Sequence, residues 1–221
     1  MKVTYLYNSG FLVELENHIL LFDYYQGTIP DLNPSKPLYV FVSHSHYDHY
    51  NPTIYNLNHP NITYIIDHEI NNKGIKVLPN KHYYVDDLNI HTLLSSDKGV
   101  AFIIEIGNKR IYHAGDLHWW HWIGEPDSDN NYQANTFKSE INKIKDLNFD
   151  LMMIPLDPRL EDSMHWGMDY ILSHVKATYV LPMHFTDSPK KMLESIDNEP
   201  LCRYNNIIKI HNEGEIFILG E

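Results

Sequence analysis

The sequence predicts an α/β protein built from two related halves, and three observations predict it. Short runs of β-branched and aromatic residues recur along the whole chain, and some lead into helix-start signals. Leu38-Tyr39-Val40-Phe41-Val42, followed by Asn51-Pro52, is the clearest case. Next, Phe102-Ile103-Ile104-Glu105-Ile106-Gly107-Asn108 echoes Phe11-Leu12-Val13-Glu14-Leu15-Glu16-Asn17, with Phe, Glu and Asn in register. Each copy begins a hairpin that ends in an aspartate, Asp23 in the first half and Asp116 in the second. Finally, the residues with chemistry in them gather where predicted strands stop, a common place for sites in α/β proteins.

The chain has 221 residues, which fits a single domain over 1–221 with halves of roughly 1–97 and 98–221. Its formal net charge of -12 disfavours nucleic acid as the main partner, because such a surface repels phosphate backbones. Cys202 is the only cysteine, so neither an intrachain disulfide nor a thiolate metal cluster can form. The first residues, Met1-Lys2-Val3-Thr4-Tyr5, lead into no apolar signal segment, and no run reaches transmembrane length. The expectation is a cytoplasmic protein without a membrane span.

Taken in order, 3–7, 11–15 and 19–22 read as strands, the last two joined by a turn at Glu16-Asn17-His18. Asp23 either caps a turn or orients a neighbouring histidine. Residues 26–37, with Gly27, Pro30, Pro34 and Pro37, form a loop before the strand 38–42. A short helix at 52–57 and strands at 62–66, 75–78, 83–85 and 88–94 follow. Residues 125–135 read as a polar loop, 135–147 as a helix, 151–154 as a strand, 168–175 as a helix and 178–181 as a strand. A helix from Ser188-Pro189 and a closing hairpin of 207–210 with 215–219 complete the chain. The Leu117-His118-Trp119-Trp120-His121-Trp122 run suits a pocket mouth, with His118, Trp119 and Trp122 as candidate substrate contacts. A loop packed on a subunit interface of a homo-oligomer is the competing reading.

The stretch around which the rest is organised is His44-Ser45-His46-Tyr47-Asp48-His49. Residues two apart in extended chain point the same way, so His44 and His46 can grip one ion. Once the chain turns, Asp48 and His49 can face a second. Imidazole and carboxylate donors suit Zn, Mn or Fe. A chain with 15 histidines also clusters some by chance, but chance rarely sets this order on the end of a hydrophobic strand.

This motif resembles the signature of the metallo-β-lactamase superfamily of metal-dependent hydrolases. Ile111-Tyr112-His113-Ala114-Gly115-Asp116 resembles its Gly-Asp motif, whose aspartate bridges two ions, and Pro182-Met183-His184-Phe185 resembles its late histidine motif. The resemblance implies a four-layer αββα sandwich with two pseudo-duplicated halves. It also implies two divalent ions, zinc first and manganese or iron as alternatives. His44, His46 and Asp116 would bind one, and Asp48, His49 and His184 the other, with Asp116 shared. Asp48 and Asp116 are then the catalytic carboxylates, and a metal-bound hydroxide attacks a small-molecule ester, lactone or phosphodiester. The superfamily's usual further histidine is missing here. Its loop reads Leu94-Ser95-Ser96-Asp97-Lys98-Gly99, where Asp97 is either the substitute donor or a turn residue before Gly99. The competing functions are a non-catalytic metal-binding or ligand-sensing protein on the same fold, and a nuclease.

Overall fold

In the computed structural model, which describes residues 1–186 and 188–220, the apolar runs pair into two mixed sheets, one in each of two units. The first unit, Met1–Leu78 with the returning segment from Ile210, carries β1 (Lys2–Tyr7), β2 (Gly10–Glu14), β3 (Ile19–Phe22), β4 (Leu38–Val42), β5 (Ile62–Asp67) and β6 (Ile75–Val77). The second, Pro79–Lys209, carries β7 (His82–Val85), β8 (Leu88–Leu94), β9 (Val100–Ile106), β10 (Lys109–His113), β11 (Asn148–Pro155) and β12 (Lys176–Met183). The last strand, β13 (Ile216–Ile218), returns to the first sheet, where it pairs antiparallel with β1. The expected halves met at 97/98. The sheets divide instead between Leu78 and Pro79, because β8 pairs with β9 and takes β7 with it.

The internal echo is a repeat of topology. In the first sheet β1, β2 and β3 run antiparallel, and β3, β4 and β5 then continue in parallel. In the second, β8, β9 and β10 run antiparallel, and β10, β11 and β12 continue in parallel. Phe11 faces Phe22 in the first hairpin, and Phe102 faces His113 in the second. One residue past Phe22 comes Asp23, and Asp116 follows His113 at three residues' distance.

The central strands are uninterrupted apolar runs because both of their faces are buried. On one face of the first sheet, Leu12, Leu21, Val40, Val42 and Ile66 form a core with Ile54 and Ile70. On the other, Phe11, Phe22 and Phe41 are fully buried, and Phe22 stacks on Phe41 at 5.0 Å between ring centres. Fully burying each such side chain stabilises the fold by about 1.5–3 kcal/mol. This packing makes the strand ends rigid platforms for the loops that follow them.

Two segments differ from the sequence expectation. The helix α1 spans Asp127–Asn142, so it begins inside the stretch expected to be a loop. Its first turns lack apolar residues, which hid it. Asp127 and Asp129 favour the start through the helix dipole. Asn130 anchors it by accepting from Trp122 N at 2.9 Å and donating to Trp122 O at 3.0 Å. Among the described residues the closing hairpin does not form either. Ile207 makes only an isolated bridge to Val180, and β13 pairs with β1. Two further helices, α2 (Trp166–His174) and α3 (Pro189–Asp197), follow the expected positions. Among the described residues, no helix is long and apolar enough to cross a membrane.

Candidate metal centre

In the first unit, β4 ends at Val42 and delivers the histidine motif directly into a network centred on Asp23, the residue that ends β3. Asp23 is fully buried. Its Oδ1 accepts from Ser43 N at 2.7 Å, and its Oδ2 accepts from Ser43 Oγ at 2.5 Å. The same Oδ2 lies 2.8 Å from His49 Nδ1, and Ser43 Oγ lies 2.9 Å from His44 Nδ1. The protons of this network can be placed in one consistent way. A carboxylate only accepts, so His49 Nδ1 carries its proton. Ser43 Oγ donates its one hydrogen bond to Asp23 and so accepts from His44 Nδ1. Both rings are therefore the tautomer whose lone pair is on Nε2, the form that ligates a metal.

The neighbouring geometry suits a chelating loop. The rings of His44 and His46 are 4.5 Å apart at 81°, and those of His44 and His49 are 4.2 Å apart. Asp48 Oδ2 lies 3.8 Å from His49 Nε2. A turn in which His49 N and Tyr50 N both donate to His46 O, at 3.1 and 3.0 Å, folds the loop back. Asn51 then donates to Tyr25 O at 2.8 Å and caps the short 3-10 turn over Pro52–Asn56.

In the second unit, Gly115 takes a φ of 51°, which lets the chain turn sharply before Asp116. His184 follows β12 and is itself held at a φ of 65°. Its Nε2 lies 3.6 Å from Asp116 Oδ1, and its Nδ1 lies 2.9 Å from Asp157 Oδ2. Asp157, in the loop after β11, is gripped in turn by Arg159, whose Nε and Nη2 reach Oδ2 at 2.9 and 2.5 Å. Burial works against the Asp157 charge. The hydrogen bonds from His184 and Arg159 outweigh it and hold the carboxyl down at about 2. Asp157 is thus an anion that fixes the His184 tautomer with its lone pair on Nε2. Trp120 completes the frame: its Nε1 donates to Asp116 O at 2.9 Å, and its ring meets the His184 ring edge-on at 5.5 Å.

The other expected site residues fall elsewhere. Asp97 is exposed, and among the described residues it joins no group of three or more metal-capable side chains. Its backbone N donates to Ser95 Oγ at 3.2 Å in a turn that carries the side chain outward. The inward residue of that loop is Ser96, whose Oγ bonds His118 O at 2.6 Å and accepts from His118 N at 3.1 Å. His118 is fully buried, so it does not present its ring to a substrate. Burial pulls its pKa down to about 4. Trp119 faces Trp166 at 5.3 Å and, with Trp166, Asp169 and Tyr170, lines a cavity of about 360 Å³. Trp122 is half-buried, stacked on Trp120 at 5.8 Å with the Arg159 guanidinium 5.6 Å from its ring.

Sequence reasoning missed Ser43 and Asp157. Asp157 had a signal: β11 is the topological counterpart of β4, so the loop after it corresponds to the loop that carries the histidine motif. The donors are nitrogen and oxygen only, which suits borderline and hard divalent ions such as zinc, manganese or iron. In each unit an imidazole with Nδ1 committed to a hydrogen bond lies beside a carboxylate, His49 by Asp48 in the first and His184 by Asp116 in the second, and such pairs fit these ions.

Comparison with known proteins bears on the family and the fold. A family model described as beta-lactamase superfamily domain matches residues 2–127. A UPF0173 metal-dependent hydrolase of Desulforamulus reducens is 27% identical over 218 residues, covering 86% of each chain. Another, NEQ378 of Nanoarchaeum equitans, is 32% identical over 136 residues, which is 52% of this chain and 60% of that protein. Igni18, described as a metallo hydrolase from the archaeon Ignicoccus hospitalis, shares the fold with a TM-score of 0.67 at 18% identity, covering 98% of this chain and 97% of its own. The repeated hairpin-plus-parallel-strand topology and the matched sequence lead to one assignment: the chain belongs to the metallo-β-lactamase superfamily.

Proposed function

We propose that the protein is a metal-dependent hydrolase of a small-molecule ester, lactone or phosphodiester. In this reading it holds two divalent ions, zinc in the first instance. His44, His46 and Asp116 serve one ion, and Asp48, His49 and His184 serve the other, with Asp116 shared. The observation that carries the reading is the Asp23 network, which fixes the Nε2 lone pairs of His44 and His49 together. A core aspartate committed to setting two imidazole tautomers has no purpose in a plain structural loop. The names of the UPF0173 relatives support the hydrolase class.

Such ions, when bound, supply Lewis acidity toward a carbonyl or phosphoryl oxygen and lower the pKa of water. The chain's own residues do the rest. Asp48 and Asp116 contribute the negative charge that balances the ions. Asp23 and Asp157 keep His49 and His184 from rotating. Trp122, laid against Arg159, offers an apolar wall with a cation beside it, and Trp119 offers its cavity with Trp166 and Tyr170.

A non-catalytic metal-binding protein is the second reading, and the outward placement of Asp97 favours it by leaving the first ion with fewer donors. Elemental analysis of protein purified without chelator, together with a panel of generic esters, lactones and phosphodiesters, separates the two. About two ions per chain and turnover that disappears in Asp48→Ala, with folding intact, support the hydrolase. Bound metal without turnover on any of the three classes supports the binder.

A further inference from the structure

Asn8 lies in the turn between β1 and β2, far in sequence from the histidine motif, and is buried. Its Nδ2 donates to Asp48 Oδ2 at 3.1 Å and lies 3.4 Å from Asp48 O. The same Oδ2 is the oxygen 3.8 Å from His49 Nε2. That separation is too long for a hydrogen bond, but it is near what two donors of one ion at about 2.0–2.2 Å from the metal require. We propose that Asn8 is a positioning residue that holds the Asp48 carboxylate in its metal-binding orientation before the ion arrives. The proposal rests on the reading of Asp48 as a ligand and goes beyond it by naming what sets its geometry.

The chemistry of the amide explains the residue type. Asn donates a hydrogen bond without carrying charge, so it fixes a carboxylate without forming an ion pair that a metal would have to break. A lysine or arginine at this place would compete with the ion. The backbone selects the same residue: φ at Asn8 is 51°, in the left-handed region that asparagine tolerates better than most. Gly10 closes the turn. A Cβ there would meet Tyr7 O at 2.9 Å and Asp23 O at 3.3 Å, so the hairpin tip packs directly on the backbone of Asp23. The tip and Asp23 therefore form one bracket around the motif loop. Asp23 holds Ser43 and His49, and Asn8 holds the residue between the two last histidine-motif positions, Asp48.

The test is a zinc titration against a chromophoric chelator for wild type, Asn8→Gly, Asp48→Ala and the double variant. Glycine removes the amide while relieving the left-handed backbone, so the turn is kept. The expected result is a loss of about tenfold or more in the affinity of one ion in Asn8→Gly, in line with other residues that orient ligands. The same change in the Asp48→Ala background should then add nothing. Dissociation constants within twofold of wild type in Asn8→Gly, or an equal loss with Asp48 already gone, would overturn the proposal. If Asp48→Ala binds zinc as wild type does, Asp48 is no ligand, and the proposal falls with the reading beneath it. Should Asn8→Gly melt early, the zinc-induced rise in its Tm reads the same affinity and decides the question in the same way.

Discussion

Asp23 accepts from His49 Nδ1 at 2.8 Å through the same oxygen that accepts from Ser43 Oγ at 2.5 Å. One carboxylate oxygen therefore determines which nitrogen is available on two imidazoles, His49 directly and His44 through Ser43.

Replacing Asp23 by alanine should weaken zinc binding by at least the 10–100-fold typical of a residue that orients a ligand. The effect should reach both His44 and His49. Stability should fall as well, because Ser43 N, Ser43 Oγ and His49 Nδ1 all lose a buried acceptor, and an unsatisfied buried group costs about 1–3 kcal/mol. Ser43→Ala removes only the relay to His44, so its loss of affinity should be smaller. Zinc titration and thermal melting of the two variants check the ranking. Equal affinities in the two would show that the direct contact of Asp23 with His49 adds nothing beyond the relay to His44, and a wild-type affinity in Ser43→Ala would show that His44 does not depend on the relay.

A second orienting pair behaves differently. Asp157 is buried beside His184, while Arg159, its other partner, is about half exposed, with a side-chain exposure of 47% against 1% for Asp157. Asp157→Ala should cost 10–100-fold in the affinity of the ion at His184. Arg159→Met should cost much less, since the bond between Asp157 and His184 survives and an exposed partner contributes about 0–1 kcal/mol. A loss in Arg159→Met as large as that in Asp157→Ala, read by the same titration, would make the guanidinium the true anchor of His184.

Much of this site was legible in the sequence, and the reason is local. The order of His44, His46, Asp48 and His49 on the end of a strand is a chain-local pattern, and Gly115-Asp116 is another. Asp23 could be read only as one of two things, because its role depends on strands β3 and β4 lying side by side in parallel register. Asp157 was missed for a related reason: its signal lies in the topology, and a loop aspartate becomes a histidine's partner only once β11 and β12 are neighbours. Asp97 was read as a donor from its position, but spacing along the chain fixes where a turn lies and not which of its side chains points inward. In that loop Ser96 turned in and Asp97 out. The early part of α1 was missed because its signals are charge and an asparagine anchor, with no apolar periodicity to mark it.

His118 gives a pH-dependent contribution to stability. Its pKa is lowered from 6.5 to about 4, chiefly by burial, so the folded state holds it neutral where the unfolded chain would protonate it. The unfolded state then binds more protons between these values, and stability falls as pH drops from about 6.5 toward 4. Over that window the residue accounts for a loss of about 3 kcal/mol, at 1.36 kcal/mol per pH unit. Above pH 6.5 its contribution is fully present. Chemical denaturation of metal-free protein at a series of pH values should show this slope in wild type and a flatter one in His118→Asn. An unchanged slope in the variant would assign the acid sensitivity to other groups.

The room for His118 is made by Gly167, on the first turn of α2. A Cβ at that position would lie 2.2 Å from His118 Cε1 and 2.4 Å from its Nδ1. The ring has little room to retreat, since Trp120 meets it at 4.9 Å and Phe137 at 6.1 Å. Two effects compete in Gly167→Ala. Alanine is the better helix former by about 0.8–1.0 kcal/mol, whereas forcing an extra carbon into a packed interior costs about 1–3 kcal/mol. The contact is far inside van der Waals distance, so the clash should win and the variant should be destabilised. In a His118→Ala background the ring is gone and only the helix term remains, so the same glycine substitution should become neutral or stabilising. That change of sign, measured by denaturant unfolding of the four proteins in the cycle, is what a direct steric coupling between Gly167 and His118 demands. Additive effects would mean that the helix start shifts to relieve the contact.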